Sequence, residues 1–215
     1  MRVQPPEFIV TNTALVNPPL VPELRLHLAM EVMPLWRKTE EELEAMGVPP
    51  PYWAFAWAGG QALARYIFDH PAEVAARTVL DFGSGSGIVA LAAAKSGATT
   101  VTAADIDRYA QAAITLNARA NAVHVSVEPD DVIGTPGAWQ TILCGDMCYE
   151  RPLAERLLTW LKERAATGAR VLLGDPGRSY FPKSGMEKLA TYRVQTTREL
   201  EDSEIRETSV YALTP

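Results

Sequence analysis

The chain has 215 residues, 47% of them apolar, which suits one well-buried α/β core and is short for two. Its net charge of −6 comes from interspersed acids and bases with no basic stripe, so a nucleic-acid partner is disfavoured and a basic protein partner favoured. No apolar run reaches membrane-spanning length, and the opening segment, with Arg2, Glu7 and four prolines among its first 20 residues, is unlike a signal or transit peptide. No membrane partner and a cytoplasmic location are therefore expected.

In chain order, residues 1–51 are punctuated by proline and read as a helical extension to a core spanning 52–215, the whole being one domain. A short helix is expected over 24–31, ended by Pro34. Thr39 and Glu42 form a capping box opening a second helix that stops at Gly47, and Pro49-Pro50-Pro51 is a stiff spacer. The segment 53–61 holds Trp53, Trp57, Gly59 and Gly60. Its aromatic density suits either core packing or a wall of the ligand site. If it is helical, both tryptophans share one face, so at least one belongs in the core, while Trp57, Gly59 and Gly60 are assigned to the ligand side.

From residue 78 onward the apolar periodicity alternates as a doubly wound sheet requires. Strands are expected over 78–82, 100–105, 124–128, 140–144 and 170–174, with helices over 88–96, 107–120 and 151–166 and a loop between the third and fourth strands. Asp107 is a plausible N-cap and Gly97 a helix stop, and Ser184 with Glu187 reads as another capping box. Residues 192–200 and 205–213 alternate and form a terminal antiparallel hairpin. The fold class is α/β, a Rossmann-like sheet of seven strands.

The most specific signal lies after the first of these strands, where Asp81-Phe82-Gly83-Ser84-Gly85-Ser86-Gly87 reads as strand, glycine loop and helix start. Closely spaced glycines let the backbone approach a ligand, and the helix presents unpaired N–H groups to it. Asp105 ends the next strand 18 residues after Gly87, where a carboxylate would meet ribose hydroxyls, with Ile106 beside it. A dinucleotide fingerprint needs a third glycine where Ile88 stands. Asp81 would repel a pyrophosphate but attract, directly or through water, the cationic end of S-adenosylmethionine. That cofactor is therefore expected on Asp81, Gly83, Ser84, Gly85, Gly87, Asp105 and Ile106. Asp131 could take the adenine amino group with Val132 flanking the ring, or be a solvated turn.

After the fourth strand comes Asp146-Met147-Cys148-Tyr149. This is neither the proline-aromatic motif of adenine and glutamine N-methylation nor the cysteine context of cytosine C5 methylation. A carboxylate and a phenol three residues apart at a strand end can together orient an amine, which suits lysine and makes Asp146 and Tyr149 the candidate catalytic pair. Arg178, after Gly174-Asp175-Pro176-Gly177, could hold a substrate carboxylate or a neighbouring acid. Cys144 and Cys148 read as reduced apolar residues, and with His27, His70 and His124 scattered no metal set is visible.

The D-x-G-x-G-x-G loop, Asp105 and the D-x-x-Y stretch together resemble the seven-strand class I protein lysine methyltransferases. Within them, Pro22-Glu23-Leu24, residues 53–66 and Gly174 to Arg178 resemble the electron transfer flavoprotein β-subunit lysine methyltransferases. The resemblance implies a protein substrate, that β subunit, with Asp146 and Tyr149 lining the acceptor site, in a bacterial and cytosolic form. A ribosomal-protein lysine or a small amine is the alternative acceptor, and a cofactor-binding module without transfer activity the non-enzymatic one.

Overall fold

The computed structural model describes residues 4–30, 49–196 and 204–214. Helix α1 (Pro5–Asn12) opens the chain, with two prolines at its first turn, where their missing N–H groups cost nothing. A two-stranded antiparallel ribbon follows, β1 (Ala14–Val16) on β2 (Leu26–Leu28). The helix expected over 24–31 is therefore not formed: Leu26 and Leu28 alternate inward about His27, and β1 supplies the pairing. The helix expected from Thr39 to Gly47 lies outside the described residues.

The core comprises α2 (Ala58–Asp69), β3 (Thr78–Phe82), α3 (Ile88–Lys95), β4 (Thr100–Ala104), α4 (Arg108–Ala120), β5 (Ser126–Glu128), β6 (Thr141–Gly145), α5 (Arg151–Ala166), β7 (Arg170–Asp175), β8 (Met186–Gln195) and β9 (Ile205–Leu213). One seven-stranded sheet runs in the order β5-β4-β3-β6-β7-β9-β8, parallel from β5 to β7, with β9 and β8 antiparallel. The expected core strands and helices are thus present within two residues at each end. The final hairpin also forms, but its first strand begins at Met186. Ser184 and Glu187 do not cap a helix, because Glu187 pairs with Ala212 of β9.

Successive residues of the central strands face opposite layers. Val79, Leu143 and Leu172 point into a core with α2, α3, α4 and β2, whereas Leu80, Ile142, Leu173 and Phe82 pack against Leu157, Trp160 and Leu161 of α5. A third cluster joins Phe8 and Ile9 of α1 to Trp53, Tyr109 and Ala113. Asn117, fully buried on α4, ties the N-terminal ribbon to the glycine loop. Its Oδ1 accepts from the backbone N–H of His27 (2.8 Å) while its Nδ2 donates to the carbonyl of Ser86 (2.8 Å).

Candidate active site

The parallel strands bring their carboxyl ends to one edge, where ligands gather in open α/β sheets. A cleft of about 480 Å³ opens there. One wall is the glycine loop with Asp105, Ile106, Asp107, Asp130 and Asp131; the other is Asp146, Met147 and Tyr149, with Tyr52, Trp53, Trp57 and Arg178 beside them.

On the first wall, Gly83 has φ +64° and Gly87 φ +84°, a region L side chains avoid. A Cβ on Gly83 would also overlap the Met147 side chain that lies on the loop. Asp105 braces the loop: its Oδ2 accepts from the N–H of Gly85 (2.9 Å) and its Oδ1 from that of Asp107 (3.0 Å). Burial pushes its pKa up from the ordinary carboxylate value, against the lowering effect of these two bonds. Ile106 is 75% exposed over the cleft, an apolar surface awaiting cover.

Asp81 lies behind the loop. Its Oδ2 accepts from Ser84 Oγ (2.5 Å) and from the N–H of Ala90 (3.0 Å), so it fastens the loop to the first turn of α3. Burial raises its pKa to about 7, with the Asp105 charge adding to the rise and the two hydrogen bonds opposing it.

The second wall is built on close backbone contact. A Cβ on Gly59 would overlap the carbonyl oxygen of Gly174, and one on Gly174 would overlap that of Gly59, so α2 begins directly against the ends of β6 and β7. Asp146 follows β6 with φ +60°, a conformation unusual for any residue but glycine and least costly for Asn and Asp. Its N–H donates to Gly174 O (3.0 Å) and its Oδ2 accepts from the N–H of Gly60 (2.9 Å). Its Oδ1 accepts from Nε (3.1 Å) and Nη2 (2.7 Å) of Arg178. Arg178 is itself fixed from below, since Asp175 Oδ1 accepts the N–H groups of Gly177 and Arg178 (2.7 Å each), and its guanidinium sits 5.6 Å from the centroid of the Trp57 ring.

Tyr149 is 44% exposed at the rim, its ring 5.8 Å from that of Tyr52, and burial leads the causes raising its pKa. Cys148 is buried, and burial first, then the charges of Asp175 and Asp146, push its thiol up to about 12, so it is no nucleophile at neutral pH.

The cleft asks for a ligand on the loop side. Trp53 stacks on Tyr109 (6.3 Å between centroids) and lines the cleft floor, yet its buried indole Nε1 has no hydrogen-bond partner among the described residues. Ile106 is the apolar surface over the cleft that the ring of an adenosine would cover.

Residues 62–142 match the family model for ribosomal protein L11 methyltransferase (PrmA). Along nearly the whole chain, the electron transfer flavoprotein beta subunit lysine methyltransferase of Xenopus laevis is 37% identical over 218 residues, covering 98% of this chain and 87% of the relative. The human protein of that name is 35% identical, covering 97% of this chain and 81% of its own length. The chain belongs to the electron transfer flavoprotein β subunit lysine methyltransferase family. The fold of this family member also matches a magnesium protoporphyrin IX methyltransferase from Synechocystis PCC 6803 solved with bound SAM, at TM-score 0.53 and 16% identity over 72% of this chain and 78% of the other.

Of the residues that the sequence points to in this family member, Gly83, Gly85, Asp105, Ile106, Asp131, Trp57, Asp146 and Tyr149 line one cleft. Ser84, Gly87, Val132, Gly59 and Gly60 stand behind it with Asp81: Val132 is buried in the α5-side core, and Gly59 and Gly60 press on Asp146. Both oxygens of Asp131 already accept a hydrogen bond, Oδ2 from Arg156 (2.7 Å) and Oδ1 from the N–H of Ile133 (2.9 Å). Trp53 and Trp57 do not share a helix, since Tyr52–Ala54 is a single 3₁₀ turn and Trp57 caps α2. Tyr52 and Asp107 are given no site role by the sequence; only the aromatic run after three prolines hints at Tyr52.

Proposed function

We propose that this protein transfers methyl groups from S-adenosylmethionine to a lysine side chain of the electron transfer flavoprotein β subunit. The observation that carries the reading is the meeting of the Asp146 and Tyr149 pair with Asp105 and the glycine loop across one cleft, in a member of this family. The whole chain is read as one methyltransferase domain. The two unpaired, buried thiols Cys144 and Cys148 suit a reducing compartment, in keeping with a cytoplasmic protein.

Asp105 would hold the ribose hydroxyls, Ile106 would cover one face of the adenine, and Asp131 would face its amino group. When bound, the cofactor supplies a methyl group on a cationic sulfur. Asp146 orients the entering amine and Tyr149 donates to or packs on it, which places the nitrogen and excludes water. Asp146 is too weak a base to take the proton of a lysine, whose free pKa is about 10.4, so its work is orientation and the proton goes to solvent.

The test is the intact mass of purified β subunit after incubation with the protein and S-adenosylmethionine. Increments of one methyl are expected on lysine. They should vanish with Asp146→Ala and fall about tenfold or more with Tyr149→Phe, while calorimetry finds cofactor affinity nearly unchanged in both. An unmodified β subunit sinks the reading. The match of residues 62–142 to the L11 methyltransferase model favours ribosomal protein L11 as the second acceptor to try.

A further inference from the structure

Asp146 presents a difficulty that its geometry also resolves. A lone carboxylate beside the acceptor would hold the lysine as an ammonium, which has no lone pair to offer. In the structure Asp146 is never alone. Both Nε and Nη2 of Arg178 reach the same oxygen, Gly60 holds the other, and the side chains of the ion pair are only 10% and 19% exposed. Asp175, at the end of β7, spends one carboxylate oxygen on fixing the backbone from which Arg178 projects. Trp57 lies under the guanidinium and hydrogen-bonds through its own Nε1 to Tyr52 O (2.8 Å). Two elements far apart in sequence are thus arranged to keep one positive charge against one negative charge at the acceptor side of the cleft.

We propose that Arg178 is a positioning residue that aligns and charge-balances Asp146, so that the acceptor lysine enters beside a neutral pair and sheds its proton near neutral pH. The inference rests on the lysine-methyltransferase reading above. The step is a proton loss alone: one N–H bond of the ammonium breaks, the electron pair stays on nitrogen, and water at the rim by Tyr149 takes the proton. The amine is then oriented beside the Asp146 carboxylate without the rise in basicity that an unpaired carboxylate would impose.

Other charges face the same cleft and set the background. Asp105, Asp107 and Asp130 line it with carboxyl groups, Asp131 is paired with Arg156, and Tyr52 and Tyr149 bring phenols to its rim. Buried Cys148 stays a thiol. Among the described residues Arg178 is in ion-pair contact with Asp146, and an opposite charge at this range shifts a titration by about one to three units.

The experiment is the pH dependence of kcat for methylation of the β subunit by the wild-type protein, Arg178→Lys and Arg178→Gln. The acid limb of kcat reports the bound amine. It should move up by about one to two pH units in Arg178→Gln and by less in Arg178→Lys, giving roughly a tenfold or greater loss at pH 7.5 that is recovered at higher pH. A loss equal at every pH, with the limb unmoved, would mean that Arg178 is merely structural and would overturn the proposal.

Should Arg178→Gln fail to fold, the wild-type protein decides alone. The β subunit labelled with ¹³C at lysine Cε is titrated by NMR in its complex with the protein and S-adenosylhomocysteine. An acceptor lysine whose pKa falls at or below its value in the free subunit supports charge balance; one raised above it overturns it. A wild-type protein that modifies no lysine refutes the underlying reading itself, and this inference with it.

Discussion

Adding a single methyl group to Gly59 probes the construction of the acceptor wall. In Gly59→Ala the new Cβ overlaps Gly174 O and lies 2.6 Å from Asp146 Oδ2, where ordinary contact begins at 3.4 Å. Neither neighbour can swing aside, since one is the backbone of β7 and the other is pinned by Gly60 and Arg178. Helix propensity favours alanine by about 0.5–1 kcal/mol, less at a first turn. Relief of the overlap requires α2 to lift from the sheet, although Ala58, Ala62, Leu63 and Ile67 hold it there. Overpacking of this kind costs roughly 1–3 kcal/mol and wins over propensity, so a net loss of about 1–2 kcal/mol is expected. For a domain of this size that lowers Tm by about 2–8 °C. Calorimetric unfolding measures the loss. Cofactor titration and methyl transfer should further show catalysis falling more than binding, because the displaced group is Asp146. A Gly59→Ala protein with wild-type Tm and wild-type turnover would refute the close-contact argument.

Asp105→Ala should weaken cofactor binding by tenfold or more, because it removes both the ribose acceptor and the brace on Gly85; isothermal titration giving an unchanged Kd would disprove that role. For Asp81, the native carboxyl titrates at about 7 against an ordinary 3.8, so between these values the native chain keeps a proton that the unfolded chain has lost. Stability therefore falls as pH rises from about 4 to 7, by up to roughly 4 kcal/mol, and is level above that. Asp81→Asn retains the Ser84 and Ala90 contacts and should abolish that slope in urea melts; parallel wild-type and variant profiles across this range would contradict it.

The parallel core was legible because most of its strands are short apolar runs closed by Gly or Asp, and β3, β4 and β6 are each followed by a helix. Legibility failed where tertiary contact overrides local preference. Gly59-Gly60 argues against a helix, yet α2 begins there because only glycine permits the approach to Gly174. Ser184 and Glu187 have the spacing of a helix start, but pairing along β9 takes the segment as strand. Residues 26–28 are too short to display alternation without knowledge of β1. In the site, Asp105, Asp146 and Tyr149 stand at strand exits and could be read from that position alone. The contact of Arg178 with Asp146 spans 32 positions and two strands, and the turning of Asp81 away from the cleft depends on a serine hydroxyl three residues on; neither has a periodic signature.

The amide of Asn117 has a consequence for how the molecule comes to be assembled. Its two bonds join residues 90 and 31 positions upstream, so one amide links the N-terminal ribbon to the glycine loop. During synthesis the ribbon leaves the ribosome before its docking surface on α4, which follows about ninety residues later, a delay of several seconds at typical elongation rates. Until then Leu24, Leu26 and Leu28 have no core to enter. The nascent chain therefore carries an apolar segment in waiting until α4 has been made, while the far wall of the cleft, Asp146, Tyr149 and Arg178, is still to come.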